Sequence, residues 1–189
     1  MSRGYFQKFQ IKDVVFLAIM SAVALATCAV MPLVISLQPL IFGISQLVTA
    51  LQIGVFFAIG LYKVRKPGSL LIMALMMGLI QLMMSPPMFL SSVLNGILIE
   101  LIVLLLFRGY ERDTAVFVAA MLHTPLSLPF NYLYNRLVKG ADSPLAAVAD
   151  RAPLATVGMT LAVVAVSALG ALIGIKIARE LKKSGVLKK

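Results

Sequence analysis

The sequence has little of what catalytic and metal sites need. It has no tryptophan, one cysteine and one histidine in 189 residues. A lone Cys28 excludes a disulfide framework, and one Cys with one His cannot supply a recognisable zinc or di-iron ligand set. The chain also lacks a Gly-x-Ser-x-Gly motif, a His-Glu-x-x-His motif and a phosphate-binding glycine loop. We therefore expect no metal, no cofactor, no catalytic residues and no ATP hydrolysis by this chain alone.

Charge is also scarce, and most of it is positive. Only 13% of the residues are charged and 61% are hydrophobic, with 17 Lys and Arg against 7 Asp and Glu. This composition excludes a soluble globular domain and is typical of a polytopic membrane protein. The basic residues lie at the ends of apolar segments, where they orient a membrane protein, so we expect no nucleic-acid partner.

Apolar runs long enough to cross about 30 Å of hydrocarbon make up most of the chain. We expect one all-α membrane domain over residues 1–189, with six transmembrane helices at roughly 13–36, 44–62, 68–85, 90–107, 114–138 and 153–180. The first run is longer than the apolar part of a secretory signal peptide and lacks a clear cleavage site, so we expect it to be retained as a span.

The basic residues are distributed unevenly between the two sides of these spans. Only Arg136, Lys139 and Arg151 fall on one side, and the other Lys and Arg residues fall on the opposite side. Because cytoplasmic loops carry the excess of Lys and Arg, we expect a cell-membrane protein with both termini in the cytoplasm. The first, third and fifth connections then face outward.

One carboxylate, that of Glu100, lies in the middle of the fourth apolar run. A charge at this depth is costly unless it faces a polar cavity, takes a partner or is protonated, so such a residue indicates function. On a helix, Ser92, Gly96 and Glu100 share a face, and Asn95 lies beside them. Gly96 would let a ligand or a neighbouring helix approach closely. We expect this face to form a pocket wall.

The fifth run carries a stripe of polar residues spaced four apart: His123, Ser127, Asn131 and Asn135. The stripe favours a cavity wall, because buried amides without partners are costly in lipid. In antiparallel fourth and fifth helices, Glu100 and His123 would both lie near mid-membrane, so a contact between them is geometrically allowed. Alternatively, His123 binds a backbone carbonyl that Pro125 or Pro129 leaves unpaired.

Other uncharged polar residues collect in the outer halves of the spans, including Gln46, Thr49, Thr156 and Thr160. We therefore expect a cavity that opens outward and is walled by the fourth, fifth and sixth spans. The candidate substrate-binding residues are Glu100, Asn95, His123, Asn131, Asn135, Gln46, Gln81 and Ser92.

The whole chain resembles the substrate-binding S components of energy-coupling factor (ECF) vitamin transporters, in length, in the six spans and in its start, Lys12-Asp13-Val-Val-Phe-Leu-Ala18-Ile-Met-Ser-Ala22. The resemblance implies capture of a small water-soluble vitamin from outside, under the first, third and fifth loops. It also implies two cytoplasmic ATPases and a scaffold membrane subunit. An Ala-x-x-x-Ala face would dock on that scaffold. The candidate docking residues are Ala18, Ala22, Ala26, Gly170 and Gly174, although ordinary packing inside the bundle would also explain such small-residue faces.

Two segments, Lys63-Val-Arg65-Lys66-Pro67-Gly68 and Gly96-Ile-Leu-Ile-Glu100, resemble the branch of that family associated with thiamine or its hydroxymethylpyrimidine precursor. A buried carboxylate suits an aminopyrimidine, and a thiazolium adds positive charge. Because the chain has no Trp, ring stacking would come from Phe or Tyr side chains such as Phe89, Tyr132 or Tyr134. Other B vitamins and modified bases stay open as substrates.

Two other functions stay open on the sequence alone. An autonomous small secondary transporter or channel would use Glu100 and His123 as a proton-linked site, although the chain shows neither paired repeats nor a ring of like groups. An intramembrane enzyme would depend on His123.

Overall fold

A computed structural model describes residues 8–28, 33–34, 36–140 and 143–187 of the chain, and every regular element in these residues is a helix. The helices are α1 (Ile11–Ala26), α2 (Ile44–Val64), α3 (Ser69–Leu82), α4 (Pro86–Phe107), α5 (Asp113–Leu137), α6 (Pro144–Arg151) and α7 (Pro153–Lys183). The expected all-α architecture is confirmed.

Four of the described helices, α2, α4, α5 and α7, are long and apolar enough to cross a membrane by length and composition. The helix α3 is apolar but has only 14 residues. The helix α1 ends at Ala26, ten residues before the expected end of the first span, and residues 29–32 and 35 lie outside the described residues. The total of six spans therefore stays a prediction.

Two helix boundaries differ from those expected because proline is tolerated at the start of a helix. The helix α4 begins at Pro86 and not near residue 90, and α6 begins at Pro144 inside the expected fifth connection. In the first turn a proline has no intrahelical N–H bond to lose, and its fixed φ suits the helix. The helix α6 buries Leu145, Ala146 and Ala149, but with eight residues it is too short to be predicted from an apolar run.

The helix α2 lies at the centre of the bundle and packs against α1, α5 and α7. Its seam with α7 is built from small residues: a Cβ added to Gly170 would lie 2.5 Å from the Leu51 carbonyl oxygen, and one added to Gly174 would meet the Val55 carbonyl oxygen. Only glycine allows this approach between the two backbones. Both glycines are buried inside the chain, which removes them from any surface offered to a scaffold subunit.

Charged side chains join four segments at one end of the bundle, which we call the basic end. Lys66 Nζ lies 2.6 Å from Asp13 Oδ2, and Asp113 accepts hydrogen bonds from Arg65 and from Arg179, whose Nη2 lies 2.6 Å away. These residues come from the start of α1, the α2–α3 connection, the start of α5 and the end of α7. The chain therefore enters α1 and leaves α7 on the same side of the bundle. The opposite end we call the cavity end.

Candidate ligand-binding cavity

A cavity of about 490 Å³ opens at the cavity end, a size typical of small-molecule sites. Its described lining residues come from α1 to α6 and from the connections before α2, before α4 and before α6. None comes from α7, so the expectation that the sixth span forms a wall is corrected. The reason is that α7 packs along α2 and α5 on the outside of the bundle, and the two threonines near its start bind nearby backbone: Thr160 Oγ1 donates to the Thr156 carbonyl at 2.8 Å, and Thr156 Oγ1 donates to the Ala152 carbonyl at 3.1 Å.

The polar stripe on α5 forms the longest wall of the cavity. His123, Ser127, Asn131 and Asn135 all line it. From the first to the last of these residues the helix rises about 18 Å at 1.5 Å per residue. The two asparagines are already ordered by each other, since Asn135 Nδ2 donates to the Asn131 side-chain oxygen at 2.9 Å. Ser143, in the connection before α6, donates to Asn135 Oδ1 at 3.1 Å.

The facing wall comes from α4, through Ser91, Ser92 and Asn95. Asn95 is 1% exposed, and its Nδ2 lies 3.5 Å from the His123 carbonyl oxygen. With the amide turned over, it would instead donate to the Leu126 carbonyl and accept from the Ser127 N–H. In either orientation the Asn95 side chain joins α4 to the backbone of α5.

Glu100 does not line the cavity, which corrects the central expectation from the sequence. The residue is 6% exposed, and its carboxylate accepts hydrogen bonds from the Gly68 N–H at 2.6 Å and from the Tyr110 hydroxyl at 2.8 Å. Gly68 precedes the first turn of α3, where unpaired N–H groups and the helix dipole favour an anion. Burial, together with the adjacent carboxylate, raises the pKa of Tyr110 well above its usual value, which keeps the hydroxyl as a donor.

Gly96 likewise packs against a helix, α3, and does not line the cavity. A Cβ on Gly96 would lie 2.5 Å from the Ala74 Cβ of α3, so the glycine allows α3 and α4 to touch. Ser92, one turn earlier, lines the cavity but donates to the Ala74 carbonyl at 3.0 Å. The face shared by Ser92, Gly96 and Glu100 is therefore mainly the α3–α4 interface.

His123 makes neither of the two contacts expected for it. Both of its ring nitrogens are buried without a hydrogen-bond partner among the described residues, so it binds neither Glu100 nor a carbonyl of α5. Its ring lies against Phe57, with 4.4 Å between the ring centroids.

Over residues 11–183 the chain matches the family described as "Hypothetical bacterial integral membrane protein (Trep_Strep)". The chain belongs to this family. It is therefore a multi-pass integral membrane protein.

The fold of this Trep_Strep chain is similar to that of a solved structure described as "Crystal structure of an S-component of ECF transporter". The TM-score is 0.64, with 22% sequence identity, and the alignment covers 95% of this chain and 89% of that one. At this identity the similarity is one of fold. No curated protein matches the chain.

Only some of the remaining candidates of the Trep_Strep chain line the cavity. Gln46, Gln81 and Tyr134 line the cavity, whereas Phe89 and Tyr132 do not. Sequence analysis missed Ser45, Ser91 and Thr124 as lining residues. Four others, Gln38, Ser85, Lys139 and Ser143, lie in the first, third and fifth connections, which the resemblance implied would cover the ligand. Most of them are single polar residues in connections or next to a residue already on the stripe, so periodicity gives no signal for them.

The alanine face of α1 lies on the surface of the bundle. Ala22 and Ala26 are exposed and Ala18 is half-buried, between the exposed apolar side chains of Val15 and Ile19. No group of three or more His, Cys, Asp or Glu among the described residues is placed to hold a metal ion.

Proposed function

We propose that this chain is the substrate-binding subunit, or S component, of an ECF-type transporter, and neither an enzyme nor a self-sufficient transporter. The observation that carries the proposal is the cavity of about 490 Å³ whose wall carries amide, hydroxyl and imidazole side chains inside a largely apolar membrane bundle, because such groups suit a small solute with polar edges. The fold similarity to a solved S component supports it. In this proposal the protein lies in the cell membrane, its termini are cytoplasmic and the cavity opens outward.

The proposed substrate is a small water-soluble vitamin or precursor, with thiamine and its hydroxymethylpyrimidine precursor as the first candidates. Asn95, Asn131, Asn135, Gln46 and Gln81 offer amide donors and acceptors along the cavity. The aromatic side chains of the wall, Phe130 and Tyr134, are available for ring stacking. Because Glu100 lies outside the cavity, it cannot supply a carboxylate to pair with a cationic thiazolium. The uncharged pyrimidine is therefore the better candidate.

The proposed partners are a scaffold membrane subunit and two cytoplasmic ATPases. The exposed face formed by Ala18, Ala22 and Ala26 supports docking of a transmembrane partner, since small side chains let helices approach closely in lipid. Gly170 and Gly174 are left out of this surface, because α2 already covers them.

The direct test is ligand binding by the purified chain in detergent, measured as a thermal shift. The panel is thiamine, hydroxymethylpyrimidine, riboflavin, pyridoxine, biotin and cobalamin. A true ligand at 100 times its Kd adds about 2.7 kcal/mol to the free energy of unfolding. Gln46→Leu, on the cavity wall, should abolish the shift, while Gln52→Leu, on the same helix but outside the cavity, should keep it. No shift with any member of the panel would overturn the proposal.

Transport separates this proposal from the alternative of an autonomous carrier with a Glu100 and His123 proton-linked site. The chain alone in liposomes should bind substrate without accumulating it, and uptake should appear when scaffold and ATPases are added. Ala22→Trp should abolish that uptake and leave binding unchanged, whereas Leu105→Trp, on the exposed face of α4, should leave both unchanged. Flux through the chain alone would favour the alternative.

A further inference from the structure

Two neighbouring residues of α5 form the deep end of the cavity. Of the α5 residues that line the cavity, His123 and Thr124 lie farthest from the cavity end. The deepest lining residues of α4 and α2 are Asn95 and Ile53. We call His123 and Thr124 the floor. A solute that fills the cavity along α5 has its inner end against these two side chains.

The floor combines deep burial with unused hydrogen-bonding capacity. His123 is 5% exposed and Thr124 is 3% exposed, and His123 Nδ1, His123 Nε2 and Thr124 Oγ1 have no hydrogen-bond partner among the described residues. Buried polar atoms are nearly always paired, because leaving one unpaired costs free energy. Among the described residues, Ser69 Oγ and Ser167 Oγ also lack a partner, but neither residue lines the cavity. The three unpaired atoms of the floor belong to adjacent residues that both line it, which points to a ligand that pairs with them.

Thr124 differs from the other helical hydroxyls nearby. A threonine or serine within a helix usually donates to a carbonyl of the preceding turn. Thr49, also on the cavity wall, donates to the Ser45 carbonyl at 2.9 Å, and Ser127 donates to the Thr124 carbonyl at 2.7 Å. The hydroxyl of Thr124 makes no such bond, so its hydrogen-bonding capacity is unused among the described residues.

The chemistry of the floor limits the class of solute. An uncharged imidazole presents one donor and one acceptor, and a hydroxyl presents both, so the floor matches an edge with adjacent donor and acceptor groups. Phe57 packs against the imidazole ring, which leaves the ring edge to make the polar contacts. No described residue of the cavity wall is an Asp or Glu, so a buried cation would lose its hydration without a counter-charge.

We infer that His123 and Thr124 determine substrate specificity by selecting a solute with an uncharged or anionic donor–acceptor edge, and that the wall around them, whose described residues include no Asp or Glu, disfavours a cation. This inference rests on the proposed function and deepens it. The ligand is recognised at its inner end by the floor, and the amides of the stripe on α5 contact the part that lies nearer the mouth.

The test measures Kd by equilibrium binding for two related compounds, hydroxymethylpyrimidine, which is uncharged, and thiamine, which carries the same aminopyrimidine edge with a cationic ring. The uncharged compound should bind at least about tenfold more tightly. Thr124→Val removes the hydroxyl with little change in shape and should raise Kd by about 10- to 100-fold, and Thr124→Ser should restore it. Thr160→Val is the matched control outside the cavity and should not change Kd.

A second variant, His123→Asn, keeps a polar side chain at the same place and should therefore fold. It should raise Kd by a similar factor while the melting temperature of the unliganded protein stays within a few degrees. If riboflavin, pyridoxine or biotin is the compound that binds, the same variants are measured with it. Tighter binding of thiamine than of the uncharged pyrimidine would overturn the inference, and so would a Kd that the floor variants leave unchanged.

The binding data distinguish a failure of the proposed function from a failure of this inference. If the unmodified chain binds no compound of the panel, the proposed function fails and the inference falls with it. If the chain binds a compound with undiminished affinity after the floor is altered, the binding subunit stands and the inference about the floor alone is refuted.

Discussion

The basic end and the cavity end of this bundle use their polar residues in opposite ways. At the basic end, the carboxylates of Asp13, Glu100 and Asp113 each have a partner, and together they join α1, α3, α4, α5 and α7. At the cavity end, amides and hydroxyls outnumber charges, and the side chains of His123 and Thr124 lack partners within the described chain. Charge therefore holds the helices together at one end, while uncharged polarity is left available at the other.

The helix α7 shows a related contrast along its own length. In its middle, Gly170 and Gly174 touch the backbone of α2, whereas Gly158, near its cavity-end start, has nothing within 4 Å of an added Cβ. The middle of α7 is thus closed to a larger side chain, and its cavity-end part has room. Each of the following changes tests one of these differences within the bundle.

The largest effect is expected from Gly174→Val. Because the added side chain would meet the Val55 carbonyl and the Ala58 Cβ, the two helices must separate, at a cost of about 3 kcal/mol or more in the free energy of unfolding. Gly158→Val, on the same helix, should change it by no more than about 0.5 kcal/mol. Denaturant titration in detergent measures both. Equal losses in the two variants would mean that the middle and the cavity-end part of α7 are packed alike.

A smaller effect on stability is expected from Glu100→Gln. The neutral amide cannot accept from both Gly68 and Tyr110 as the carboxylate does, so the free energy of unfolding should fall by about 1 to 3 kcal/mol. Ligand affinity should be unchanged, because Glu100 lies outside the cavity. Tyr110→Phe, which removes one of the two donors, should give part of the same loss. A variant with full stability and weakened binding would return Glu100 to the substrate site.

The smallest effect is expected from Arg136→Gln at the cavity end. Arg136 pairs with Asp150 of α6, but the side chains are 43% and 40% exposed, and exposed ion pairs contribute about 0.2 to 1 kcal/mol. The loss in the free energy of unfolding should stay within that range and shrink in high salt. Tyr132 keeps its own hydrogen bond to Asp150 at 2.7 Å, which holds α6 in place. A loss as large as that of Glu100→Gln would show that charge also holds the cavity end together.

The cavity wall was predictable where one helix carries a repeating pattern. His123, Ser127, Asn131 and Asn135 follow the four-residue spacing of a single helical face, so their common side is visible in the chain itself. The role of Glu100 was not visible in this way. Its partners, Gly68 and Tyr110, lie in two connections, and nothing in the periodicity of α4 indicates that the start of α3 would lie beside it.

The sequence by itself determined that this is an all-α membrane protein, because hydrophobic length and the spacing of basic residues reflect the thickness and polarity of the bilayer, which act on each segment separately. It also determined which face of α5 is polar. Only the tertiary structure decided that the intramembrane carboxylate serves a helix terminus, that α7 has no part in the cavity, and that the small residues of α7 face α2. These outcomes depend on which helices are neighbours, and that choice follows from the packing of all the segments at once.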